Sequence, residues 1–68
     1  MKNYIKKHRE KMGLSQGDLA NTLDVSRQTI NSIENGKFDP SLTLAMKLTK
    51  FFNEPIDTLF EYKESFYK

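Results

Sequence analysis

The chain contains no cysteine. That excludes a disulfide framework and a thiolate metal site. It has no apolar run approaching ~18 residues, so no membrane-spanning helix is expected. The opening MKNYIKKHRE is basic but has no apolar block behind it, which excludes a secretory signal and makes a cytoplasmic protein the expectation. There is one histidine, His8, inside the run Lys6-Lys7-His8-Arg9. A bound cation is disfavoured there, so no metal and no cofactor are expected. No glycine-rich phosphate loop occurs. Serine, histidine and aspartate are present but not spaced as a triad, and 68 residues are too few to enclose a pocket. An enzyme is therefore not expected. Charge of one sign is also scarce: the net charge is +2, which permits nucleic-acid binding without requiring it. The length allows one domain with one modest core, stabilised by apolar packing and helped by oligomerisation.

What is present is helical spacing. In 16–35, Leu19, Ala20 and Leu23 recur at helical intervals, and so do Ile30 and Ile33. The segment Leu23-Asp24-Val25-Ser26 between them allows only a sharp corner. Asp24 is expected there with φ > 0, a conformation Asp tolerates better than most residues. Ser15 suits the N-cap of the first helix, with Asp18 near the open amides, and Ser26 suits the second, with Thr29 in the reciprocal position. Two capped helices about a four-residue corner make a helix-turn-helix candidate. Ala20 lies where the two helices would approach most closely.

The outward side of the second helix is Arg27, Gln28, Thr29, Asn31 and Ser32. Arg, Gln and Asn carry planar donors and acceptors suited to base edges. An ordinary solvated helix face is the alternative, although such a face is more often Glu and Lys. Over 16–37 the charges are Arg27 and Lys37 against Asp18, Asp24 and Glu34, one net negative. The functional case therefore rests on polar chemistry and shape rather than on attraction to phosphate.

Elsewhere, Asn3 can cap a helix over 4–12 that ends at Gly13, with Ile5 and Met12 as its apolar stripe. Arg9 follows Ile5 by one turn and Glu34 follows Ile30 by one turn. Both charges border apolar stripes, so an Arg9–Glu34 ion pair is expected, the alternative being that both turn to water. Lys2, Lys6, Lys7 and Lys11 read as a solvated face, with phosphate contact as the alternative. Gly17 is a weak point inside a helix; close approach of a nucleic-acid backbone would compensate for it. After Gly36, Ser41 caps a fourth helix to about residue 52, burying Leu44, Ala45, Leu48, Phe51 and Phe52. Pro55 opens a short fifth helix over 56–60. The architecture expected is all-α: five helices over 1–60, then an extension over 61–68. From Phe60 onward, Phe60, Tyr62, Glu64 and Phe66 fall at period two and Tyr67 adds a ring. It reads as an extended segment, with a short C-terminal β strand included, packing on a second copy. The alternative is a terminus whose rings fold back on their own helices.

Residues Arg9, Leu14-Ser15-Gln16, Leu19-Ala20, Val25-Ser26-Arg27-Gln28-Thr29-Ile30 and Ile33-Glu34-Asn35-Gly36-Lys37 together resemble the lambda-repressor/Cro-like helix-turn-helix family, also called Xre. Pro40-Ser41-Leu42 and Pro55-Ile56-Asp57-Thr58-Leu59-Phe60 fit the same pattern. The likeness is to small standalone bacterial or phage regulators, some of which dimerise through a strand after the last helix. The resemblance implies a five-helix lambda-repressor-like bundle that binds double-stranded DNA. Gln16 would contact phosphate and buttress the recognition helix. Arg27, Gln28 and Ser32 would reach base edges, with Ser26, Thr29 and Asn31 beside them, and Asn35 and Lys37 would touch phosphate. Arg9 and Glu34 match the family's internal ion pair. Departures are Asp24 in place of glycine, Ser32 in place of a longer reader, and Gly17 in place of a helix former. The function implied is a sequence-specific regulator, a repressor reading a pseudo-palindromic operator as a homodimer, with helix 26–35 in the major groove. The rival from another class is a protein-interaction module, an antitoxin or adaptor docking a separate protein through the tail or the fifth helix.

Overall fold

A computed structural model describes residues 1–63. Among these, five helices follow a two-residue strand: β1 (Lys2–Asn3), α1 (Ile5–Lys11), α2 (Gln16–Leu23), α3 (Arg27–Glu34), α4 (Leu42–Phe52) and α5 (Ile56–Leu59), then β2 (Phe60–Glu61). The all-α bundle with a helix-turn-helix is the architecture observed, with a small β element added.

Helix starts follow the serines. The Ser15, Ser26 and Ser41 hydroxyls accept from the Asp18, Thr29 and Leu44 amides at 3.0, 3.0 and 3.1 Å. The Asp18 carboxylate completes a capping box by accepting from the Ser15 amide at 3.0 Å. Thr29 does not do the same for α3. Its hydroxyl meets the Ser26 hydroxyl at 2.7 Å instead.

Helix ends also share one device. Gly13, Asp24, Gly36 and Asn53 all adopt left-handed φ, at 74°, 58°, 74° and 54°. Each lets the next amide reach back to an open carbonyl: Leu14 to Arg9, Val25 to Ala20, Lys37 to Ser32 and Glu54 to Thr49, at 2.9–3.1 Å. Asp24 thus occupies the conformation expected at the corner. Lys47 Nζ donates to a further open carbonyl, that of Leu23, at 3.2 Å.

The core comprises Ile5, Leu19, Ala20, Leu23, Ile30, Ile33, Leu44, Leu48, Leu59 and Phe60, with Val25, Phe51 and Phe52 packed against it. Three expectations need correction. Met12 is 52% exposed, because it caps the end of α1 and the chain turns away at Gly13; the aliphatic stem of Arg9 continues the stripe from Ile5 instead. Phe51 and Phe52 are only half-buried, because they lie in the last turn of α4 against the core edge. Phe60 leaves α5, begins β2 and is 6% exposed in this chain's own core, rather than standing out as a ring of the tail.

β2 pairs antiparallel with β1, Lys2 opposite Glu61 and Asn3 opposite Phe60. This internal pairing was not foreseen. The Tyr4 amide extends it to Leu59 O at 2.8 Å. The N-cap of α1 is Tyr4, without a side-chain cap, rather than Asn3, because Asn3 is drawn into β1; its Oδ1 still accepts from the Ile5 amide at 3.2 Å and its Nδ2 donates to Ile33 O in α3 at 2.7 Å. Phe66 and Tyr67 lie outside the described residues. No helix of the described residues is long and apolar enough to cross a membrane.

Candidate nucleic-acid interface

The sequence of α3 splits cleanly into two sides. Ile30 and Ile33 are each 1% exposed and face the core. Arg27, Gln28 and Asn35 are exposed, while Thr29, Asn31 and Ser32 are half-exposed. Those positions put the polar side chains on the surface and the isoleucines beneath them, as period 3.6 requires. Ser26, at the N-cap, and Lys37, just past the helix, are also exposed.

Beneath this surface lies the ion pair. Arg9 Nε donates to Glu34 Oε2 at 2.7 Å and Arg9 Nη2 to Glu34 Oε1 at 3.1 Å, a two-pronged contact between buried side chains. Arg9 Nη1 also donates to Leu14 O at 2.8 Å. The hydrogen bond to Glu34, chiefly, holds the Arg9 guanidinium above its already high range, against the opposing pull of burial. Charge bookkeeping changes with it. Glu34 is neutralised by a residue outside 16–37, so the net negative counted over that segment is not present at its surface.

From Glu34 a chain of amides runs outward. Gln16 Nε2 donates to Glu34 Oε1 at 2.9 Å, Asn31 Nδ2 donates to Gln16 Oε1 at 3.5 Å, and Asn35 Nδ2 donates to Asn31 Oδ1 at 3.2 Å. Gln16 therefore ties α2 to α3, the buttressing position assigned to it by resemblance. Asn31 is held on both sides, as a bridge between Gln16 and Asn35. Gln28 Nε2 donates to Ser32 Oγ at 3.2 Å. Ser32 is too short to reach far, but it fixes the orientation of Gln28. An open polar depression of about 440 Å³, lined by Gln16, Arg27, Gln28 and Asn31, marks the centre of the surface.

Gly17 sits at the edge of this surface. A Cβ there would meet only Ser15 Oγ, at an ordinary 3.7 Å. Among the described residues nothing requires glycine there, and its φ is not left-handed. At the same helix start, hydrogen bonds from the Ser15 backbone and side chain hold the Asp18 carboxyl below its usual range. Sequence reasoning did not find the role of Asn3 in holding the end of α3 or that of Lys47 in closing α2; a lone Asn and a lone Lys carry no spacing signal.

Comparison with known proteins agrees with this geometry. The helix-turn-helix family model matches residues 5–59. An uncharacterized HTH-type transcriptional regulator of Methanocaldococcus jannaschii is 53% identical over 64 residues, covering 94% of this chain and 97% of that one. One from Bacillus subtilis is 42% identical, with the same coverage. One from Archaeoglobus fulgidus is 41% identical over 94% of this chain and 91% of its own length. The fold and the polar α3 surface define a helix-turn-helix domain. The chain belongs to the Xre, or lambda-repressor-like, family of such DNA-binding domains.

Proposed function

We propose that this protein is a DNA-binding transcription regulator, acting in the cytoplasm as a homodimer and as a repressor, without enzymatic activity. In this reading α3 lies in the major groove, and Arg27 and Gln28 read base edges. Arg27 suits guanine and Gln28 suits adenine. The observation that carries the reading is the state of the side chains on α3. Arg27 and Gln28 are exposed, while Ser32, Asn31 and Gln16 around them are engaged with one another and with Glu34. Pre-oriented readers lose less freedom on binding than free ones. Asn35 and Lys37 would contact phosphate, as would the open amides at the start of α2, beside Gly17. A domain this small offers a limited contact, so two copies on half-sites about 34–36 Å apart are expected. Of the tail residues expected at a dimer contact, Tyr62 remains exposed.

Selection of bound duplexes from a random pool with purified protein tests this reading. A recovered motif with two inverted half-sites containing a guanine and an adenine, lost on Gln28→Ala, is the expected result. Recovery of no motif would overturn sequence-specific binding.

A further inference from the structure

The two ends of α3 are held from different parts of the chain. Its start is held by neighbours in sequence, through the Ser26 cap and the contact between Gln16 and Asn31. Its end is gripped by β1. Asn3 Nδ2 donates to Ile33 O at 2.7 Å, and the same carbonyl accepts from the Gly36 amide at 2.9 Å, in the turn that leads to Lys37. A carbonyl in the last turn of a helix is open to such outside donors.

Asn3 is in turn held by the other end of the chain. It stands opposite Phe60 in the β1–β2 pair. Beside it, the Tyr4 amide donates to Leu59 O at 2.8 Å and the Tyr4 hydroxyl to Glu61 Oε1 at 3.2 Å. Lys2 Nζ lies 3.9 Å from Glu61 Oε2. Leu59 and Phe60 are anchored in the core, whereas Glu61 is half-exposed and Tyr62 exposed. One short strand thus stands between a segment that reaches the surface and the end of α3. A ladder of two pairs is marginal by itself, so it can open locally while the bundle stays folded.

We infer that β1 couples residues 59–61 to the DNA-facing surface, with Asn3 as a positioning residue for the end of α3. The relay runs from Glu61 through Tyr4 and Asn3 to Ile33 O, and it sets how firmly Asn35 and Lys37 are presented. None of Asn3, Tyr4 and Glu61 lines the polar depression of Gln16, Arg27, Gln28 and Asn31, so the control is remote from the contact. By reciprocity, operator binding tightens the β1–β2 pair by the same factor. The inference rests on the DNA-binding reading above.

Its test is the preference for the duplex recovered by selection over a random duplex, in wild type, Asn3→Leu, Tyr4→Phe, the double variant and a control, Met12→Ser. All are measured at a temperature where circular dichroism shows every variant folded. Met12 is exposed and lies at the end of α1 away from β1. Asn3→Leu should lower the preference about three- to tenfold, the span that one net hydrogen bond supplies. Tyr4→Phe removes no contact to α3, yet should lower it by about two- to threefold. Added to Asn3→Leu, it should change nothing further, since both act along one relay. The control should match wild type. A purely structural ladder would lower the thermal midpoint and leave the preference of both single variants at the wild-type value; that result would overturn the coupling and leave the DNA-binding reading standing. An unchanged preference in Tyr4→Phe alone, or losses that multiply in the double variant, would overturn the relay. A wild type with no preference between the duplexes would overturn sequence-specific binding and the inference with it.

Discussion

The two outer walls of this bundle are built on one core yet end differently. On the α2–α3 side the exposed groups are polar, and most are tied to a neighbour, through Gln28–Ser32, Asn35–Asn31–Gln16 and finally Gln16–Glu34–Arg9. On the α4–α5 side large apolar groups, Leu42, Met46 and Ile56, are exposed among polar ones such as Lys50 and Asp57, and Leu42 projects at the edge of a cleft. The difference teaches what each wall can do. A hydrogen-bonded polar surface keeps a fixed pattern of donors and acceptors, which suits a partner with a fixed pattern of its own. A knob beside a hollow gains from any surface of matching shape that removes it from water.

The contrast is most easily broken at its base. Arg9→Met leaves the Glu34 carboxylate buried with Gln16 as its remaining donor, and should cost about 3–5 kcal/mol. At about 4–8 °C per kcal/mol for a domain of this size, the thermal midpoint should fall by more than 10 °C. An unchanged midpoint would show that the pair is solvated and that the polar wall has no rigid footing. Removing both charges, as in Arg9→Met with Glu34→Leu, should recover part of that loss. It would still loosen Gln16, so DNA affinity should stay reduced while stability returns.

Gln28→Ala acts on the wall itself. It should weaken binding to the selected duplex by about 1–3 kcal/mol and leave binding to random duplex and the thermal midpoint unchanged. Equal losses on both duplexes would make Gln28 a contact without a reading role. Gly17→Ala separates stability from binding. There is room for the methyl group, so the fold should gain about 0.5–1 kcal/mol. If a phosphate approaches that backbone, affinity for duplex should fall at the same time. A variant that is more stable and binds as well as wild type would remove Gly17 from the interface.

The smallest effect is in acid. The Asp18 carboxyl is depressed by its bonds to Ser15, so the folded state favours its ionised form. That contribution is complete above the unfolded value, near pH 3.9, and is lost as pH falls through the lower folded value. Asp18→Asn should remove this part of the acid dependence of stability. An identical stability profile between pH 5 and 2 would show that the capping box contributes nothing there.

Much of this was legible in the sequence because it depends on local rules. Ser15, Ser26 and Ser41 announce helix starts; Gly13, Gly36 and the corner at Asp24 announce ends. The spacing of Ile30 and Ile33 places the polar residues of α3 outside. Arg9 and Glu34 could be paired because each sits where a charge needs a partner. What was not legible depends on long-range closure. The β1–β2 ladder joins residues about 60 positions apart through only two pairs, too short for an alternating pattern to reveal. That ladder draws Phe60 into the core, and period two alone could not distinguish this from an exposed ring. The hollow beside Leu42 comes from the packing of α4, α5 and β2, which no single segment encodes.

The central claim is that the polar wall of α2 and α3 meets DNA. Amide resonances followed during titration with the selected operator test it most directly. The largest changes should fall on Gln16, Gly17, 26–32, Asn35 and Lys37, with the buried Ile5 and Leu48 unmoved. Changes concentrated on Leu42, Met46 and Ile56, with Arg27 and Gln28 silent, would contradict it.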